Sequence, residues 1–433
     1  MAIIQASIPL FFVLIALELW VAHRRGDRVH RLNDSIADLS CGILSQLLGL
    51  FIKLGTVAVH AWVVAHLSLQ RAGLLPEWID RLPWGATAVP GVLGIDWVAL
   101  GSWALAFVLV DVAYYAMHRY SHTVHLLWAG HVVHHSSEEY NLTVALRQSA
   151  LHGLLSWVFY VPLALVGMPW PMFAACYALN LVYQFWIHTR EVGKLPRWLE
   201  WWLNTPSHHR VHHGVNPEYL DRNYAGVFIL WDRLFGTFVE ERAPPVYGIT
   251  TPLRSWNPVW ANVHVFAAIA RDARRTRRWR DKLRVVFGHP SWRPADLAPP
   301  SGPPAWPARD APWDPPLPRA VAAYGVVQFT LLLVVAYRTL EVAATLAWHE
   351  EAALVFLVAL GLACVGALHE GRRAALVLEG ARLVAVAVAA AALLVAGIAP
   401  MLAGAALAAS LLSLAWLLRL RTALPVTRPP VAA

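Results

Sequence analysis

Charge is scarce in this chain. Only 14% of its 433 residues are Asp, Glu, Lys or Arg, against 58% hydrophobic. That balance excludes a wholly water-wetted surface and fits a multi-pass membrane protein. Cysteine is scarce too: Cys41, Cys176 and Cys364 stand far apart in apolar surroundings. Their placement excludes a disulfide framework and a cysteine-ligated metal site. No small-residue cleavage site follows the first apolar run, which ends ELWVAHRRGDR, so no cleaved signal is expected. Internal repeats are lacking. The net charge of +8 sits in short arginine clusters, which points to membrane orientation and away from nucleic acid.

What the chain has instead is long apolar runs. A crossing needs about 20 residues, and runs of that order cover 3–22, 36–68, 93–117, 320–338, 352–368, 375–397 and 401–418. The run 36–68 is long enough for one tilted crossing plus an interfacial turn. Residues 150–187 form two shorter apolar helices broken by Pro169 and Pro171, a hairpin or two short spans. Residues 69–91 read as a loop and 290–318 as a Pro-rich linker. The stretch RDARRTRRWRDKLR (271–284) suits a segment lying on anionic lipid.

Arg24, Arg25, Arg28 and Arg31 follow the first span. Arg271 to Arg284, Arg372 with Arg373, and Arg419, Arg421 and Arg428 form the other clusters. If 36–68 crosses once and 150–187 returns as a hairpin, all four clusters share one side, which the positive-inside rule makes cytosolic. The expected fold is therefore all-α, a multi-pass integral membrane helical bundle with a cytosolic histidine-rich di-metal cap. It divides into N-terminal spans (1–92), a catalytic region (93–255), a basic interfacial segment with linker (256–318) and C-terminal spans (319–433).

Histidine carries the chemistry. Twelve of the 20 histidines fall between 118 and 213. HRYSH places His118 and His122 at i, i+4, one helix face. HVVHH gives His131, His134 and His135, and HRVHH gives His209, His212 and His213 with the same spacing. Asn180, Gln184 and His188 are four apart, a polar stripe on an apolar helix, and such stripes face a site. Those nine histidines exceed the roughly four ligands of one zinc and suit two metals. Carboxylates are too few among them for a Glu-rich bundle site, and imidazole suits Fe, Zn, Cu and Ni alike.

Neighbouring residues read as the groups that orient those rings. Asp111, seven residues before His118, is a buried carboxylate for which a histidine partner is expected. Asn180, Gln184 and His208 join it, His208 as a support or a substrate contact. Glu138, Glu139, Asn141, Asp221 and Asn223 are divided between this role and that of caps and turns. His23, His30, His60, His66, His264, His289, His349 and His369 read as ordinary structural histidines, with His125 and His152 intermediate.

The motifs HRYSH, HVVHHSSEEYNLTVALRQS, YQFWIHT, NTPSHHRVHHG and NYAGVFILWDRLFGTF resemble the fatty acid hydroxylase/sterol desaturase superfamily. With VYGITTPL at 246–253 they are similar, more narrowly, to its alkylglycerol monooxygenase branch, over about 100–255. The resemblance implies a non-haem centre of two Fe ions held by His118, His122, His131, His134, His135, His188, His209, His212 and His213. Many members carry a His-x₃-His third element, and Gln184 stands here at its first position. It further implies O₂ as co-substrate, a membrane lipid substrate and tetrahydrobiopterin as reductant. The expected reaction hydroxylates the alkyl carbon beside an ether oxygen and releases a fatty aldehyde. No pterin motif is visible; Glu138, Glu139 and Asp221 are the candidate carboxylates for its amino-pyrimidine edge.

Two other readings stand beside this one. A di-iron hydroxylase or desaturase of another lipid would take electrons from a redox partner protein. A zinc hydrolase would need fewer ligands, and a transporter would hold its metal near mid-membrane. Zinc can also enter an iron site in purified material. The sequence leaves the oligomeric state and the role of the C-terminal spans open.

Overall fold

The computed structural model describes residues 2–74, 97–297 and 312–421. Within them the regular elements are helices, joined by two isolated bridges, Leu203 with Phe228 and Gly214 with Tyr247. Helices α1 (Ala2–Arg25), α2 (Leu32–Leu67) and α3 (Trp97–Thr123) are each long and apolar enough to cross a membrane. So are α14 (Arg319–Val342), α15 (Trp348–His369), α16 (Ala374–Val395) and α17 (Pro400–Leu420). The protein is an integral membrane helical bundle.

Helix α2 runs unbroken for 36 residues, and a turn follows it at 69–73. It contains no proline, and at roughly 54 Å it outreaches a hydrocarbon core of about 30 Å. Its first turns therefore stand in the cap, where buried Asp34 accepts from Ser137 Oγ and buried Asp38 pairs with Arg147. Helix α3 likewise continues through HRYSH to Thr123, so both histidines are helical.

Between α3 and the C-terminal spans lie short helices. They are α4 (His125–His135), α5 (Leu142–Ala145), α6 (His152–Ser156), α7 (Val161–Leu165) and α8 (Trp170–Trp186). A 3₁₀ turn, Trp157–Tyr160, links α6 to α7. The chain breaks between α7 and α8, with Gly167 at φ +88° ahead of Pro169. Both arms are shorter than the seven long spans. The polar stretch then adds α9 (Arg197–Trp202), α10 (Pro206–His212), α11 (Leu230–Leu234), α12 (Pro258–Arg275) and α13 (Trp279–Phe287). Pro206 and Pro258 occupy the first helical turn, where a missing N–H costs nothing. Asn257 caps α12 by accepting from Val259 N and Trp260 N.

The arginine-bearing ends of the spans gather around the cap. Arg25 pairs with Glu191, and Arg31 with Glu139. Glu370, just past α15, accepts from Ser255 Oγ and Trp256 N and pairs with Arg372. The part of 290–318 that is described does more than space: Trp313 packs on Trp256 and donates its N–H to Glu138, while Asp314 accepts from Asn33. Residues 75–91 and 298–311, parts of the expected loop and linker, lie outside the described residues.

The C-terminal spans are more polar inside than their Ala/Val/Leu content suggests. Buried Glu379 pairs with Arg382 and accepts from Tyr324 OH. Arg382 also donates to Gln328, which donates in turn to Ser413 Oγ. Three of the four C-terminal spans are tied by this network, and buried charge of this kind persists only when paired.

Candidate metal centre

The last two turns of α3 deliver His118 and His122. Helix α4 delivers His131, His134 and His135 from one face. His188 follows the end of α8, and α10 with its C-cap supplies His209, His212 and His213. The nine rings are all buried and fall into two groups. His118, His122, His131, His135 and His212 form one; His134, His188, His209 and His213 form the other. In each group one nitrogen per ring lies within 4.8 Å of the rest, so each set could hold a metal ion.

The hydrogen bonds test that fit. The Nδ1 atoms of His118, His134, His188 and His212 face the carbonyls of Tyr224, Arg147, Gln184 and Arg222 at 2.7–3.0 Å. A carbonyl only accepts, so each of these rings carries its proton on Nδ1 and points a bare Nε2 lone pair inward. His134 Nε2 and His188 Nε2 then sit 3.2 Å apart with no proton between them. His118 Nε2 and His212 Nε2 approach His131 Nε2 and His135 Nε2 at 3.0 and 3.1 Å. His122 Nε2, His209 Nδ1 and His213 Nε2 are buried without a partner. Facing lone pairs and orphaned ring nitrogens are what a cation would resolve.

Burial keeps these rings neutral. It pushes His134 down to about 4, and His131, His135, His188, His209, His212 and His213 well below the ordinary imidazole value. Neighbouring histidines add to the effect in each case. Neutral imidazole is the ligating form.

The supporting residues sit partly where the sequence places them. Gln184 lines the cavity beside the rings, and Asn180, one turn earlier on α8, joins it through a hydrogen bond from Gln184 Nε2. Asp111 is fully buried, but its partners are not histidines. It accepts from Val227 N, Phe228 N, Trp231 Nε1 and Asn180 Nδ2. The loop that presents Tyr224 O to His118 is thus pinned to α3 by unsatisfied amides that needed a carboxylate. Gly226 passes so close that an added Cβ would lie 2.8 Å from both Asn180 Oδ1 and Asp111 Oδ1. His208 turns to the opposite face of α10, against Phe238 and 4.0 Å from Glu200, and belongs to neither group.

Among the other carboxylates and amides, Asn141 caps α5 and Asn223 fills a left-handed turn at φ +55°. Glu139 pairs with Arg31 and Arg190. Asp221 lies 3.8 Å from His122 Nδ1 and 3.3 Å from His289 Nε2, at the water-facing edge of the rings. His125 donates to Val285 O, and His152 bonds Ser121 Oγ beside His131.

Sequence reasoning passed over two residues. Arg147 is 2% exposed and reaches Val133 O, Ser136 Oγ and Asp38, while its own carbonyl orients His134. Its signal is a lone arginine in VALRQSALHG, since a charge in apolar surroundings demands a partner. Glu200 accepts from Leu195 N, Thr205 Oγ1 and Ser207 Oγ, fixing the start of α10.

A cavity of about 350 Å³ opens from the rings into the bundle. His131, His134 and His188 close one end. Along α2 it extends from Ser45 to Val63, and Ile4 of α1 and Trp170 of α8 also line it.

A model of the fatty acid hydroxylase family matches residues 103–237. The alkylglycerol monooxygenase of Xenopus tropicalis is 36% identical over 381 residues, covering 88% of this chain and 80% of that protein. The chain belongs to the alkylglycerol monooxygenase family. The human alkylglycerol monooxygenase matches equally well, 36% identical with the same coverage, and that of Danio rerio is 38% identical over 76% of the chain and 69% of its own length. No solved structure matches the chain. The match to these relatives extends far beyond the histidine region, so alkylglycerol monooxygenase resemblance includes the flanking membrane spans.

Proposed function

We propose that the protein is an O₂-dependent monooxygenase that hydroxylates the alkyl carbon next to the ether oxygen of alkylglycerol lipids. The observation that carries this reading is the mainly apolar cavity that ends on two groups of buried, neutral histidines. A single-chain lipid fits such a cavity with its tail among α1, α2 and α8. The five-histidine and four-histidine sets would hold two Fe ions, which supply the activation of O₂ when bound. Everything else is the work of the chain. The apolar wall excludes water from the reacting carbon, and the carbonyl bonds to His118, His134, His188 and His212 hold the rings in one tautomer.

The balance of the reaction is fixed by its chemistry. One oxygen atom enters the C–H bond, and the other leaves as water after two electrons and two protons arrive. The hemiacetal so formed collapses to a fatty aldehyde and a glycerol. Tetrahydrobiopterin is the proposed electron donor. Of the three candidate carboxylates, Glu139 is held by two arginines and Glu138 by Trp313 N. Asp221, with a side chain 41% exposed beside His122 and His289, is the one a water-soluble pterin reaches.

The gathered arginine-bearing ends support a cytosolic active site, in the cytoplasmic membrane of a bacterium given the Ala- and Arg-rich sequence. Helix α13 lays exposed Trp279, Leu283 and Phe287 among arginines, as a helix resting on anionic lipid does. The reading is tested with an alkylglycerol deuterated at both hydrogens of the carbon next to the ether oxygen. The aldehyde is expected to retain one deuterium; a released fatty alcohol that retains both, or hydroxylation elsewhere on the chain, contradicts it and favours a different lipid with a protein donor.

A further inference from the structure

One amide on the cavity wall is fixed in a single orientation. Asp111, an acceptor, takes Asn180 Nδ2 at 2.6 Å, which turns Asn180 Oδ1 towards α8. Gln184 Nε2 donates to that oxygen at 2.6 Å, and Gln184 Oε1 accepts from Tyr114 OH at 2.8 Å. Each link leaves one choice of donor and acceptor, so the Gln184 amide cannot flip. Its oxygen is spent on Tyr114. Its nitrogen has two hydrogens and gives one to Asn180, which leaves one N–H on a residue that lines the cavity. That N–H stands four residues before His188, whose Nδ1 bonds the Gln184 carbonyl just past the end of α8.

We propose that Gln184 is a substrate-positioning residue whose remaining N–H donates to the ether oxygen of the bound alkylglycerol; this rests on the function proposed above. The chemistry matches on both sides. An ether oxygen accepts and cannot donate, and the free hydrogen of a locked amide donates and cannot accept. The ether oxygen is bonded to the carbon that reacts, so its partner must sit beside the histidine groups, as Gln184 does. A donor at the histidine end of a mainly apolar cavity, apart from polar liners such as Lys53 and Thr56 on α2, also sets the depth at which the chain stops, and so selects which carbon faces the rings. A methylene in place of the oxygen would leave the N–H buried and unpaired, an arrangement that sites use to reject analogues.

The test compares binding of 1-O-hexadecylglycerol with that of icosane-1,2-diol, its analogue with CH₂ for the ether oxygen. The full-length purified protein is used, with ligands at equal mole fraction in the micelle. The wild type is expected to prefer the ether about five-fold, the effect of one net hydrogen bond. Gln184→Met is expected to bring that ratio close to one while metal content stays unchanged, and the ratio between variants cancels any difference in partition. Tyr114→Phe, which frees the amide to rotate, is expected to fall between the two and serves if Gln184→Met does not fold. Equal binding of both ligands to the wild type, or a preference kept in Gln184→Met, overturns the proposal. Failure of the wild type to bind either ligand overturns the alkylglycerol reading and this assignment with it.

Discussion

His134 Nε2 and His188 Nε2 face each other at 3.2 Å, and both rings spend their proton on a carbonyl at Nδ1. Two bare lone pairs at that distance repel unless a cation joins them. His188→Ala removes one of only four rings in its group. The expected outcome is a fall from two bound metals per chain to one, with turnover abolished. Elemental analysis of the reconstituted protein checks this, and two metals retained in the variant would remove His188 from the site.

Arg147 and Asp38 form a buried pair between the cap and α2 at 3.1 Å. Arg147→Met leaves the Asp38 carboxylate and the Ser136 hydroxyl without it. Breaking one side of such a pair costs about 3–5 kcal/mol. The double variant Asp38→Asn/Arg147→Met is expected to recover part of that loss, because no lone charge remains. Thermal unfolding of the wild type, both single variants and the double variant reads the coupling. Additive losses would show that the pair does not act as a unit.

The neutral rings make the metal-free protein sensitive to acid. For His134 the folded value is about 4, below the ordinary 6.5. Above 6.5 the ring is neutral in both states, and its burial costs nothing in protons. Between 6.5 and about 4 the unfolded chain binds the proton and the folded one does not, so stability falls as pH falls. Six further cap histidines shift the same way. Melting of the metal-free protein is expected to drop steeply over that window; a flat profile from pH 7 to 4.5 would show that the rings are not held neutral.

Much of this arrangement is legible in the chain because it follows from helical periodicity. The i, i+3, i+4 spacing of His131, His134 and His135, and of His209, His212 and His213, puts three rings on one face whatever the tertiary contacts. The stripe of Asn180, Gln184 and His188 is legible for the same reason. Partners across the chain are not. Asp111 meets the amides of Val227 and Phe228 through a loop whose path depends on Gly226 fitting against Asn180. His208 and His209 are adjacent in sequence, and only the pitch of α10 sends one to the rings and the other to Phe238. The Glu379–Arg382 pair hides in an Ala- and Leu-rich run as two isolated charges, three residues apart on one helix.

The most direct test of the central claim is oxygen uptake by protein reconstituted anaerobically with ferrous iron, given a 1-O-alkylglycerol with and without tetrahydrobiopterin. The account predicts uptake that requires both the ether lipid and the pterin, with one fatty aldehyde formed for each O₂ consumed. Two irons bound per chain but no uptake under these conditions would contradict it.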